Sequence, residues 1–217
     1  LLAEKKLFNN WLGFIEVTMN IWNIVAISYV IFAGLTFLPI LIPAIKGVKL
    51  YNGGISFEDT VYFSEEAKKK LRDNFSRLQG TLGFWKKHAT VNTRFHYYCI
   101  YWTILSSWLV PLVSAVSSAD NSQKWFIVAV SSHVALALSF HRGLNVAENM
   151  KAYRHGESEF YDTYRRLLDS PQCFGNSEQE QLDTYFQKVE VIRQYIRNAE
   201  TGNMPSLEQV AKLTSKS

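Results

Sequence analysis

The chain has 217 residues, 47% hydrophobic and 14% aromatic, which suits one domain with a sizeable core and excludes a peptide or a disordered chain. Its 23 Lys and Arg against 19 Asp and Glu leave a net charge of +4, too mild a basicity to point to nucleic acid. Two cysteines, Cys99 and Cys173, lack the paired spacing of a disulfide scaffold or a four-cysteine zinc site, which fits reducing surroundings.

The mean hydropathy of −0.07 averages strongly apolar stretches with charged ones. Their distribution predicts an all-α integral membrane protein: a transmembrane helical hairpin plus an additional N-terminal membrane helix, with cytoplasmic helices. Four segments are expected. Residues 1–46 hold the N-terminal membrane helix, 47–94 a cytoplasmic linker and amphipathic helix, 95–141 the hairpin, and 142–217 the cytoplasmic C-terminal helices.

Residues 17–45 form an uncharged run of 29, longer than the about 20 residues a spanning helix needs. Pro39 and Pro43 permit a kink or only partial entry. No signal peptide is visible, and an opening Leu rather than Met leaves room for residues before it. Ser64 followed by Glu65 and Glu66 predicts a helix start. Leu71, Phe75, Leu78, Leu82 and Trp85 then recur at spacings of 4, 3, 4 and 3, an apolar face that can run on into the second span, although Gly80 and Gly83 weaken it. The run Lys68, Lys69, Lys70 and Arg72 reads as a solvated or lipid-facing surface.

The second span is the uncharged run 95–119, with Tyr97, Tyr98, Tyr101, Trp102 and Trp108 as interfacial rings. The third, 125–141, reaches only roughly 25 Å, and Arg142 can snorkel to make up the difference. A short polar link, 118–124, makes the pair antiparallel. Residues 46–94 carry ten positive and five negative side chains, a net of +5, whereas the link carries Asp120 and Lys124, net zero. The positive-inside rule then places both flanks and the C-terminus in the cytoplasm and the link outside. A fully crossing first span would put the N-terminus outside, where Lys5 and Lys6 fit the rule poorly.

Beyond the hairpin, 145–168 has no breaker except Gly156 and is expected to extend the third membrane helix until Pro171 ends it. Ser177, with Glu180 as capping-box partner, starts another helix, and Gly202 is its expected stop. Its stripe of Leu182, Tyr185, Phe186, Val189, Ile192, Tyr195 and Ile196 packs back on the preceding helix or, in a sharper reading, forms a seam between subunits. Leu182, Phe186, Val189, Ile192 and Ile196 are expected, as a packed surface with Arg193 and Arg197 adding nearby positive charge, to couple a cytoplasmic partner or signal to the membrane segment. The tail from Pro205 reads as a short helix with a frayed end.

Chemistry is sparse. The five histidines form no clustered boxes, and phosphate loops, nucleophile elbows and zinc-helix motifs are missing, so no catalytic, cofactor-binding or metal residue is assigned. Polar positions inside spans are costly and therefore informative. Cys99, Thr103, Ser107 and Ser114 share one side of span two, and the three hydroxyls are the pore-lining candidates, with Leu105, Leu109 and Leu112 as apolar constrictions. On span three, Ser131, Ser132, Ala135 and Ser139 form a small-residue face for close helix packing, expected to lie against span two. His133 points away from that face and needs a partner from span one, another subunit or a cavity. An interhelical hydrogen bond is the plain reading, and a polar switch the sharper one.

Thr93-Arg94 at the hairpin entry, Pro111 within it, Ala147-Glu148 with Lys151, and Phe186 with Val189-Glu190 carry a resemblance. From Lys86 to about Glu200 the chain resembles the SLATT superfamily, the SMODS- and SLOG-associating two-transmembrane effector domains. That resemblance implies a bacterial conflict-system effector that assembles in the inner membrane and permeabilises it when a sensor protein or nucleotide signal arrives. The leading expectation is an oligomeric effector that forms a pore or disrupts the membrane, with lipid and further copies of the chain as partners. The alternative is a non-conducting anchor that recruits a cytoplasmic partner, and an integral membrane enzyme is disfavoured.

Overall fold

The computed structural model describes residues 21–50, 57–116 and 121–203. They form helices α1 (Ile21–Lys46), α2 (Glu65–Ala115), α3 (Asn121–Gly143), α4 (Val146–Asp169) and α5 (Glu178–Asn203), with a 3-10 turn at Pro171–Cys173. No strand occurs among the described residues. Three of the helices, α1 to α3, are long and apolar enough to cross a membrane. The 17–20 end of the first expected span, residues 118–120 of the polar link and the tail from Pro205 lie outside the described residues.

The chain packs as two compact units. One takes the described residues up to Leu38 together with Cys99–Leu138; the other takes Pro39–Tyr98 with the described residues from Ser139 on. The linker and the C-terminal helices therefore share one core, because neither the α2 stripe nor the α5 stripe can bury itself alone.

That core is a three-helix bundle with coiled-coil spacing. Ala67, Leu71, Leu78, Leu82, Trp85 and Ala89 of α2 are buried with Tyr153, Phe160 and Leu167 of α4, which recur every seventh residue. Leu182, Tyr185, Val189, Ile192 and Ile196 complete the core from α5 at spacings of 3, 4, 3 and 4. Leu182, Val189, Ile192 and Ile196 are interior and Phe186 is partly buried against them, so the stripe packs within the chain and is not a seam between subunits. At Gly156 the two helices touch, since a Cβ there would fall 1.9 Å from Ile196 Cδ1 and 2.6 Å from its Cγ1.

The helix ends explain the boundaries. Ser64 caps α2, its Oγ accepting from the Ala67 N–H at 3.3 Å. Its own N–H and Oγ–H both donate to the Glu178 carboxylate at 2.7 Å, which ties the start of α2 to the start of α5. These two hydrogen bonds, the backbone one foremost, hold the Glu178 carboxyl below its usual range. At Ser177 the expected box is displaced by one residue: the Glu180 N–H donates to Ser177 Oγ at 3.3 Å, but the Glu180 carboxylate accepts from Asn176 N–H at 2.8 Å. Gly202 does not stop α5, which continues to Asn203.

Two expectations about continuity change. The stretch after span three does not extend α3, because Asn145 adopts a left-handed conformation (φ 46°) that Asn tolerates, and α4 starts afresh at Val146. By contrast α2 passes Gly80 and Gly83 unbroken for 51 residues, about 77 Å. The basic run near its start is engaged in ion pairs. Lys68 pairs with Glu65 at 3.0 Å, Lys70 with Glu66 at 2.9 Å and Arg72 with Glu58 at 3.1 Å, and Lys70 stands about 36 Å along the helix from Arg94, where the uncharged run begins.

Gly156→Ala should destabilise the bundle, because overpacking of about 1–3 kcal/mol outweighs a helix-propensity gain of about 1 kcal/mol. In an Ile196→Ala background the same change should become neutral or stabilising in chemical unfolding, and the same sign in both backgrounds would disprove the contact. Glu178 gives a second test. A depressed folded pKa contributes stability that is present above the unfolded value of about 4.3 and lost as pH falls through the folded value. Glu178→Gln should therefore weaken the bundle at pH 7 and flatten its loss of stability as pH falls below the unfolded value of about 4.3.

Candidate functional site in the membrane-spanning helices

In the unit built from α1, α2 and α3, contacts fix the helix directions. Trp22 meets Phe126 at a centroid distance of 6.0 Å and Tyr29 meets His133 at 5.7 Å, so α1 runs parallel to α3. Gln123 Nε2 donates to Val113 O at 2.6 Å and Cys99 Sγ to Ala137 O at 3.6 Å, so α2 runs antiparallel to α3. The Gln123 amide also supplies a donor to a carbonyl near the C-terminal end of α2, where helix carbonyls lack partners.

An aromatic and polar cluster fills the middle of this unit. His133 finds its partner on span one: the Tyr29 hydroxyl lies 2.7 Å from Nδ1. Trp102 stands edge-on to Tyr29 at 5.0 Å and to His133 at 5.1 Å. Its indole N–H donates to Thr36 Oγ1 at 3.2 Å, and that hydroxyl donates back to the carbonyls of Phe32 and Ala33. Each ring nitrogen or hydroxyl named here has a partner, as a medium without water requires.

The hydroxyl stripe is placed differently from that cluster. Ser107 and Ser114 are exposed and Thr103 is half-buried, while Ser106, not singled out by sequence, is the buried hydroxyl. All four turn onto their own helix: Thr103 to Cys99 O, Ser106 and Ser107 to Thr103 O, and Ser114 to Val110 O, at 2.7 to 3.1 Å. The small-residue face is a correction. Ser131, Ser132, Ala135 and Ser139 are exposed, and α3 instead buries Phe126, Val130 and Ala137 on its opposite side. Within one chain, larger side chains and the His133 pairing decide which face turns inward.

In the other unit, the ends of the spans carry two further contacts. Pro43 has no N–H, so the carbonyl of Pro39, four residues earlier, has no helical donor. The Arg94 guanidinium donates to it instead. His96 Nδ1 lies 2.7 Å from His141 Nε2, joining α2 to α3. Among the described residues no three His, Cys, Asp or Glu side chains converge as metal ligands.

Sequence reasoning missed Tyr29, Thr36, Ser106 and Gln123. One signal was available: Tyr29, Ala33, Thr36, Ile40 and Pro43 recur at spacings of 4, 3, 4 and 3, and all are buried or half-buried. It is masked by the uniformly apolar residues around it. Comparison with known proteins finds no matching family model, no matching curated protein and no matching solved structure.

Tyr29→Phe removes one partner of the His133 bond and should cost about 0.6–1.7 kcal/mol in detergent unfolding. Combined with His133→Leu it should cost little more than His133→Leu alone. Fully additive losses would show that the two rings do not interact.

Proposed function

We propose that the chain is an oligomeric membrane effector that forms a pore or disrupts the membrane between assembled copies. The observation that carries this reading is the exposed face of Ser131, Ser132, Ala135 and Ser139 on α3. Small residues let helix backbones approach closely, and this face is exposed on the single chain, so a second copy is its natural partner. Tyr29, Trp102, Phe126 and His133 occupy the middle of the three spans, which puts any path between copies rather than through one. The resemblance to the SLATT superfamily supports placement in the bacterial inner membrane with a sensor protein or nucleotide signal as trigger, and the excess of positive charge in residues 46–94 supports a cytoplasmic C-terminus.

One observation favours the second reading, a non-conducting anchor for a cytoplasmic partner. The hydroxyls of Thr103, Ser107 and Ser114 are satisfied by their own helix carbonyls and have no need of water in a pore.

Ion flux from liposomes carrying the purified chain, followed together with cross-linking, separates the two. Ala135→Leu should lower both cross-linked oligomer and flux about ten-fold. Assembly without flux under every nucleotide tested selects the anchor, and a monomer that conducts contradicts the proposal. Topology has its own check. Cys173 is exposed and Cys99 buried, so a membrane-impermeant maleimide should label the unaltered protein only from the cytoplasmic side.

A further inference from the structure

We infer that Arg94 and Lys87 of α2 and Lys46 of α1 form a binding site for the phosphate of an anionic phospholipid headgroup. The inference goes beyond the assembly reading and does not depend on flux. It begins with Arg94, which is exposed and held in place by its bond to the Pro39 carbonyl. A guanidinium has five N–H donors, and one such bond leaves others for a phosphate. Lys87 lies seven residues before Arg94, two turns along the same face of α2. Lys46 is the last residue of α1, seven beyond Pro39. The two helices run in opposite directions, so both lysines stand about 10 Å from the Arg94 contact on the same side of it. That depth matches a headgroup layer bordering the hydrocarbon.

The charges are uncompensated. Among the described residues, ion pairs involve Lys68, Lys70, Arg72, Lys151, Arg165 and Arg193, and none involves Lys46, Lys87 or Arg94. Nor does α1 or the described segment 47–50 contribute a carboxylate, and the nearest acid before Lys87 on α2 is Asp73. Glu200 of α5 acts on His88 and Tyr153.

What distinguishes a lipid from a soluble phosphate is the apolar surface beside these cations. Leu41, Ile42 and Ile45 are exposed on the last turns of α1, with Ile45 80% accessible immediately before Lys46. A ligand with a phosphate and acyl chains satisfies both surfaces, whereas a nucleotide leaves the apolar one in water.

The test uses the full chain in nanodiscs of phosphatidylcholine, alone or mixed with phosphatidylglycerol, with retained lipid counted by native mass spectrometry. Phosphatidylglycerol should be retained preferentially. At roughly five-fold per charge, Lys46→Gln with Lys87→Gln should lower that preference roughly 25-fold while leaving the Arg94 bond to Pro39 intact, and adding Arg94→Gln should lower it further. Lys69→Gln with Arg77→Gln removes the same charge far from the site and should change nothing. Equal retention of the two lipids overturns the inference, as does an equal loss in that control. Displacement of the lipid by inorganic phosphate or ATP at constant ionic strength also overturns it, because the site would then take soluble phosphate.

Discussion

Helices apolar enough to cross a membrane bring few hydrogen-bonding groups of their own, and pairing of those few groups organises the contact between α1, α2 and α3. A polar atom in hydrocarbon without a partner costs several kcal/mol, more than any one packing contact returns. Tyr29 therefore meets His133, and Trp102 meets Thr36, and these bonds join the three helices at one level. The same rule reaches the backbone. Pro43 deprives the Pro39 carbonyl of its donor and Arg94 replaces it, while Gln123 supplies a donor to the carbonyl of Val113.

The bundle obeys a different rule. Its core is a cluster of buried apolar side chains, and coiled-coil periodicity decides which residues are inside. The core is not wholly apolar. The hydroxyl of Tyr185 and Oδ1 of Asn74 are buried without a hydrogen-bond partner among the described residues. Burial raises the Tyr185 phenol well above its ordinary range, so it stays neutral. Such unpartnered groups cost about 1–3 kcal/mol each, and the bundle tolerates them beside a large aromatic core. The bond pair between Ser64 and Glu178 then closes the end where α2 and α5 begin.

For function, the division between filled and open faces matters more than any single residue. Aromatic rings occupy the centre of α1, α2 and α3, and the small-residue face of α3 is exposed. The hydroxyls that looked like pore lining are already satisfied, so they can face lipid at little cost.

Much of the fold was legible in the sequence by itself. The three spans were readable because hydropathy is a local sum over about 20 residues. The caps at Ser64 and Ser177 and the α5 stripe were readable because helix ends and heptads have short-range signatures. The facing sides of the spans were not. Lipid is as apolar as Leu, so a membrane helix carries no amphipathic contrast to say which face turns inward, and the small residues of α3 looked internal while Phe126 and Val130 were. Nor could the sequence decide that the α5 stripe would be covered by α2 and α4, or that α3 would stop at Asn145. Those outcomes rest on long-range packing and on one left-handed residue, which only the tertiary structure determines.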